Sequence, residues 1–278
     1  MSFVQRSGTV TVAAAAATDP GLKRAANEDA FLAEAPVFIV ADGMGGYEAG
    51  DLASAAVVDA FRSRVPGPGA AELTQVRDAL LAAEASVAVI AGRTSRGAGS
   101  TVSGIVLVDY EGVPHWLVFN VGDSRVYRHT GSELEQLTVD HSLVQQLVDE
   151  GALRRDQMST AEGRNVITRA IGAPDSTADS WLMPVIDGER LLMCTDGLHS
   201  EVSDEGIRAA LTMSGRPESA AQALVQLAKR AGGRDNITVV VVDVLEGGVD
   251  ASFGDTTGSL VGDRVLADTG LEGTTVPV

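Results

Sequence analysis

A single cysteine, Cys194, among 278 residues excludes an internal disulfide framework and suits a reducing compartment. Aromatic residues make up only 4% of the chain, so the core must be built from the Ala, Val, Leu and Ile that dominate its 45% hydrophobic content. Cations are also scarce. Lys and Arg number 21 against 38 Asp and Glu, a net charge of −17 that repels nucleic acid, and no basic cluster offsets it. A metal-dependent nuclease is disfavoured on the same ground. No apolar run is long enough to span a bilayer; Ala13 to Ala17 is too short and too weakly apolar. No signal peptide is apparent, so the expected location is the cytoplasm, away from any membrane. There is no Gly-Lys-Ser/Thr phosphate loop, and Gly97-Ala98-Gly99 lacks the spacing of a dinucleotide fingerprint. Cysteine-phosphatase chemistry needs an arginine six positions after the nucleophile, where this chain has Ser200, so Cys194 is read as a buried strand residue.

Four apolar, strand-like runs are bounded by an aspartate. Val37 to Ala41 leads into Asp42-Gly43, Trp116 to Val121 into Gly122-Asp123, and Leu191 to Thr195 into Asp196-Gly197. Asp235-Asn236 opens the run Ile237 to Val242. If these strands lie side by side, their ends deliver several carboxylates to one edge, where they cannot all stay ionised without a cation. All-oxygen donors with no His or Cys beside them select Mg²⁺ or Mn²⁺ over zinc. Arg24, five residues before Asp29, would clamp a phosphoryl group beside such a centre, since Arg contacts phosphate oxygens in pairs.

Periodicity places strands at residues 8–17 and 29–40, then helices at 49–64 and 70–92 separated by Pro66-Gly67-Pro68-Gly69. Further strands are expected at 101–109, 113–121, 125–129, 190–195 and 237–244, and helices at 142–150, 203–212 and 217–231. The order lacks the strict alternation of a doubly wound sheet, so two packed sheets with helices outside is the expected architecture. From residue 247 to 278 Gly, Thr and Asp dominate without period, which reads as a disordered tail.

The motifs Arg24-x-x-Asn27-Glu28-Asp29, Asp42-Gly43-Met44-Gly45-Gly46, Gly99-Ser100-Thr101 and Asn120-Val121-Gly122-Asp123-Ser124-Arg125 occur in order. They are followed by Asp140-His141-Ser142, Ile167-Thr168-Arg169-Ala170-Ile171-Gly172, Thr195-Asp196-Gly197-Leu198 and Asp235-Asn236-Ile237-Thr238. In this register the chain, from about Thr9 to Val244, resembles the bacterial metal-dependent protein phosphatases of the protein phosphatase 2C (PPM) family. The resemblance implies an α+β fold, a four-layer αββα sandwich of two antiparallel β-sheets flanked by helices. It implies a catalytic domain over residues 1–246 with a flap at about 142–166. It implies hydrolysis of phosphoserine and phosphothreonine in proteins by a water held between two Mn²⁺ or Mg²⁺ ions, opposing a bacterial Ser/Thr kinase. Asp42 would bridge the two ions, Asp196 and Asp235 would complete the first, and the Gly43 carbonyl would bind the second. Asp29 would hold waters of the second ion, and Asp123 with Asp196 would form a weaker third site. Arg24 would bind the substrate phosphate, and Asn236 would support Asp235.

The chain departs from the family where a histidine usually follows the first Asp-Gly or the Gly-Gly, having Met44 and Tyr47 there. The general acid for the leaving oxygen is left open between a metal-bound water, Tyr47 and an aspartate. His115, His129 and His199 read as surface or structural residues, and His141 as part of a motif without a metal role. The alternative is a catalytically weak or inactive phosphatase-fold protein that binds phosphoproteins as a regulator; the retained Asp42, Asp196 and Asp235 favour the enzyme. With no assembly motif, a monomer is expected.

Overall fold

The computed structural model describes residues 3–45 and 49–249. Two antiparallel sheets pack face to face. The first has the order β1 (Phe3–Ser7), β2 (Val10–Asp19), β12 (Ile237–Glu246), β11 (Arg190–Cys194), β8 (Arg125–Thr130) and β9 (Glu133–Gln136). The second runs β10 (Asp179–Pro184), β7 (Val113–Val121), β6 (Val102–Tyr110), β4 (Val37–Gly45) and β3 (Asp29–Glu34), with β5 (Ala98–Ser100) added to the end of β4. Helices α1 (Ala49–Arg64) and α2 (Leu73–Ala91) cover the second sheet, and α5 (Asp204–Met213) and α6 (Pro217–Ala231) the first. The short α3 (Leu143–Asp149) and α4 (Asp196–His199) lie at the end described below. This is the αββα sandwich that the resemblance implied.

Both faces of each sheet are covered, which is why the central strands read as unbroken apolar runs rather than as alternations. Along β12 the alternation is between two cores. Ile237, Val239 and Val241 pack under α5 and α6, while Val240, Val242 and Val244 face the other sheet. In β4 Val37, Ile39 and Ala41 pack under α1 and α2, and Phe38 and Val40 enter the inter-sheet core. The few aromatics sit where they fill most volume: Phe61 of α1 stacks on Phe119 of β7 at 5.2 Å, and Phe38 meets Trp116 edge-on.

Several expectations need correction. Residues 29–40 are a hairpin of β3 and β4, with the chain turning at Ala35-Pro36 because a proline cannot continue a paired strand. The first strand is shifted to 10–19 and is preceded by β1, turned back by Gly8 at φ +60°. The second helix begins at Leu73, since Ala71 is bonded to β6. Strands β9 and β10 were not expected; both are edge strands rich in polar or aromatic residues rather than aliphatic runs. Residues 247–249, assigned to the tail, are bonded to the 185–187 connector, and residues 250–278 lie outside the described residues. Among the described residues no helix is long and apolar enough to cross a membrane.

Two glycines mark places where backbones cross at the end of the sandwich. A Cβ on Gly197 would lie 1.9 Å from the Asn236 carbonyl oxygen, and one on Gly43 would lie 2.0 Å from the Gly50 carbonyl oxygen. Neither obstacle is a flexible side chain, so alanine cannot be accommodated without moving a strand end. Gly197→Ala is therefore expected to lose at least about 2 kcal/mol in urea denaturation, whereas Gly215→Ala, at a position open to solvent, should stay within about 0.5 kcal/mol of the parent. Equal stability of the two variants would refute the crossing as the reason for glycine.

Candidate metal centre

The aspartates meet because antiparallel pairing brings strand ends of both sheets together. Asp29 opens β3 and lies directly across from Asp42 on β4. Cys194 of β11 pairs with Val239 of β12, so Asp196, just beyond β11, adjoins Asp235, just before β12. Asp123 follows β7 on the other sheet. Arg24, Asp42, Gly43, Asp123, Asp196 and Asp235 line one cleft of about 270 Å³, with Glu28, Met44, Thr101, Asn165 and Ile167 among its other walls. Asp29 stands behind this lining, held by Thr195 Oγ1, which donates to its Oδ2 at 2.9 Å.

The backbone around each carboxylate is fixed by named bonds. Thr101 clasps Asp42 from both sides: Asp42 N–H donates to Thr101 Oγ1, and Thr101 N–H to the Asp42 carbonyl, both at 2.9 Å. Asn236 accepts from Glu28 N–H at 2.8 Å and donates to the Ala26 and Pro20 carbonyls, tying the loop that carries Arg24 to the start of β12. The Glu28 carbonyl accepts from Gly43 N–H and from Ser54 of α1. On the far side His199 Nε2–H donates to the Asp123 carbonyl at 2.9 Å. His141 Nδ1 accepts from Gly122 N–H, so its Nε2 carries the proton and donates to Asp179.

Electrostatically the cluster is overloaded with negative charge. Burial, then Asp29, Asp196, Asp123 and Asp235, hold Asp42 well above the usual carboxylate range. Burial likewise lifts Asp29 to about 7, opposed by hydrogen bonds from Thr238 and Thr195 and reinforced by Asp196 and Asp235. Asp123 is pushed up to about 8 by burial, Asp196 and Asp140, and Asp196 to about 6 by burial and Asp235, against a hydrogen bond from Asp42. Carboxyls crowded in this way disfavour one another's charged forms, which a cation would relieve. Glu28 is raised by burial, with Arg24 opposing. Arg24 supplies the nearest positive charge: its Nη2 lies 2.6 Å from Asp235 Oδ2.

The donor set fits a hard divalent ion. Asp29 Oδ1 and Asp196 Oδ1 are buried without a hydrogen-bond partner, and the donors are carboxylates and carbonyls, with no His or Cys among the cleft-lining residues. In the side-chain positions seen, no three His, Cys, Asp or Glu groups among the described residues already converge on one metal point. Asp235 is turned to Arg24, so it would exchange this partner for an ion.

Sequence reasoning brought Arg24, Asp42, Gly43, Asp123, Asp196 and Asp235 to one cleft, and the structure groups them there. It missed the supporting roles of Thr101, Thr195, His141 and His199. The first three sit inside the quoted motifs, where only the three-dimensional partners reveal what they hold. His199 gave no signal beyond its place three residues after Asp196. Tyr47 lies outside the described residues.

Comparison with known proteins agrees with this architecture. A family model described as protein phosphatase 2C matches residues 23–230. The serine/threonine protein phosphatase PstP of Mycobacterium tuberculosis is 37% identical over 258 residues, covering 91% of this chain and 48% of the relative. The chain therefore spans about half the length of that relative. The phosphatase stp of Listeria monocytogenes is 32% identical over 227 residues, covering 78% of this chain and 88% of the relative. A crystal structure of the M. tuberculosis PstP phosphatase superposes with a TM-score of 0.78 at 35% identity, covering 85% of this chain and all of that one. The PstP catalytic domain in complex with two manganese ions gives 0.75, also at 35% identity, covering 85% of this chain and 99% of that one. The chain belongs to the protein phosphatase 2C family.

Proposed function

We propose that the chain is a Mn²⁺- or Mg²⁺-dependent phosphatase that hydrolyses phosphoserine and phosphothreonine in proteins, removing phosphate placed there by a Ser/Thr kinase. The observation that carries this reading is the meeting of Asp42, Asp123, Asp196, Asp235 and Arg24 in one cleft whose carboxylates need a cation. The relative structure with two manganese ions supports the choice of metal. We infer a catalytic unit over residues 1–246, in which about 142–166 act as a flap. Ser142, Val144, Gln145, Arg155, Met158 and Asn165 from that segment line a second cavity of about 370 Å³ that shares Asp123 and Asp196 with the cleft.

In this reading Asp42 would serve both ions, Asp196 and Asp235 would hold one with it, and the Gly43 carbonyl and Asp29 the other. Asp123 and Asp196 would offer a third, weaker site. When bound, the ions supply a nucleophile at neutral pH and neutralise charge on the phosphoryl oxygens. Arg24 leaves Asp235 for the phosphate, to which its planar fork can donate two hydrogen bonds while charge develops. The rigid clasps on Asp42 and Glu28 keep the ligands from reorganising during reaction. Among the described residues no histidine lines the cleft to protonate the leaving oxygen.

The test is phosphothreonine-peptide hydrolysis with Mn²⁺, with EDTA, and for Asp196→Asn with Mn²⁺. Wild type with Mn²⁺ should turn over and EDTA should abolish it. Asp196→Asn should lose more than the roughly 10–100-fold typical of an outer-shell defect. A folded protein inactive in every sample would sink the enzyme reading. The missing histidine predicts a preference for good leaving groups, so an aryl phosphate should be cleaved faster than a phosphothreonine peptide at saturating Mn²⁺. Equal rates would show that protonation of the leaving oxygen is not limiting.

Metal binding should also depend on pH with a definite sign. Asp29, Asp123 and Asp196 are raised to about 7, 8 and 6. Their contribution to metal-free stability is full below the unfolded-state carboxylate range and is lost as pH rises through those values. A divalent ion must displace the same protons, so it binds more tightly as they leave. The rise in Tm on adding Mn²⁺ should therefore grow between pH 5 and pH 8. A constant increment across that range would contradict the assignment.

A further inference from the structure

Asp29 belongs to the second sheet, yet the side chain that holds it stands at the end of the first. Thr195 Oγ1 donates to Asp29 Oδ2 at 2.9 Å. Thr195 and Thr238 are fully buried. The direction of each bond follows from the single proton on each hydroxyl. Thr195 Oγ1 accepts from Thr238 N–H at 3.0 Å, which leaves its own proton for Asp29. Thr18 on β2 pairs with Thr238 in register, and the two Oγ1 atoms lie 2.7 Å apart. Thr18 Oγ1 also accepts from Asn27 Nδ2 at 2.7 Å. The Thr18–Thr238 contact ties β2 to β12, and Thr195 bridges the start of β12 to the Asp29 carboxylate, its hydroxyl accepting from the Thr238 backbone and donating to Oδ2.

Valine has the same shape as threonine, so packing alone does not call for a hydroxyl at the fully buried position 195. Resting on the metallophosphatase reading, we propose that Thr195 is a positioning residue that fixes Asp29 across the two sheets for metal binding. Its hydroxyl holds Oδ2 and leaves Oδ1, which is buried and unpartnered, to serve the ion or its water shell. It thereby sets the affinity of the ion bound on the Gly43 side of the cleft. It also fixes the placement of Asp29 relative to Asp196, which follows Thr195 in the chain and comes from the opposite sheet.

The experiment is a Mn²⁺ titration by calorimetry on the full chain, without substrate, for wild type, Thr195→Val and Thr195→Ser, with urea denaturation run alongside. Thr195→Val should weaken Mn²⁺ binding by roughly 10-fold, and Thr195→Ser, which restores the donor, should recover to within about threefold of wild type. Phosphopeptide turnover by Thr195→Val should fall at limiting Mn²⁺ and recover as Mn²⁺ is raised. If Thr195→Val does not fold, Thr195→Ala, which also removes the donor, takes its place with the same expectation. A folded valine variant that binds Mn²⁺ as wild type does, or a serine variant weakened as much as the valine one, would overturn the proposal. Wild type that binds no Mn²⁺ would overturn the metallophosphatase reading itself, a result distinct from either.

Discussion

The repulsion among carboxylates at one end of the sandwich is the constraint on which the rest of the molecule depends. Asp29, Asp42, Asp123, Asp196 and Asp235 are brought together from both sheets, and burial raises the first four above their ordinary range. Left alone, such a cluster would favour separation of the strand ends. Three stacked apolar cores oppose that, and the central strands are pinned in two cores at once. The long aliphatic runs of β4, β6 and β12 therefore do more than fill volume. They keep charged strand ends in register at a spacing that their electrostatics resist.

Most of the fold could be read from the chain because its central strands are buried on both faces. Val37 to Ala41 and Ile237 to Val242 stand out as strands without any tertiary knowledge. The edge strands could not be read in this way. Glu133–Gln136 is polar because one side of it meets solvent, and Asp179–Pro184 mixes charge, indole and proline. The β3–β4 hairpin was hidden because Phe31, Leu32 and Ala33 continue the apolar character of Val37 to Val40 across Ala35-Pro36. Periodicity carries no mark for a reversal inside a run of similar residues.

The site divides in the same way. Acidic residues followed by glycine were visible because both halves of the pair have a physical reason: the carboxylate faces the cleft, and the glycine lets another backbone pass. The clasp residues were not visible. A threonine beside an aspartate looks the same whether its hydroxyl meets water or holds a carboxylate from another sheet. Thr101 and Thr195 acquire meaning only from distant partners: Asp42, 59 residues from Thr101, and Asp29, 166 residues from Thr195. Long-range hydrogen bonds of this kind leave no periodic trace.

In the proposed reading, one side chain, Arg24, would serve both states of the centre. Its pairing with Asp235 at 2.6 Å places a positive charge among the carboxylates, and Asp42 and Asp196 raise its own affinity for a proton after the Asp235 hydrogen bond does so. The guanidinium remains half exposed on a loop tied down by Asn236, so it can turn from the carboxylate to a phosphate without refolding. Ions that take over Asp235 would release Arg24 at the point where a phosphate arrives, and a phosphate that engages Arg24 would free Asp235 for the ions. Coupling of that form is reciprocal: whatever each ligand gains from the other's presence must be equal in both directions. On the proposed reading, the bonds that tie the Arg24 loop to Asn236 would also set how strongly metal and phosphate binding reinforce one another, since they fix how far Arg24 stands from Asp235.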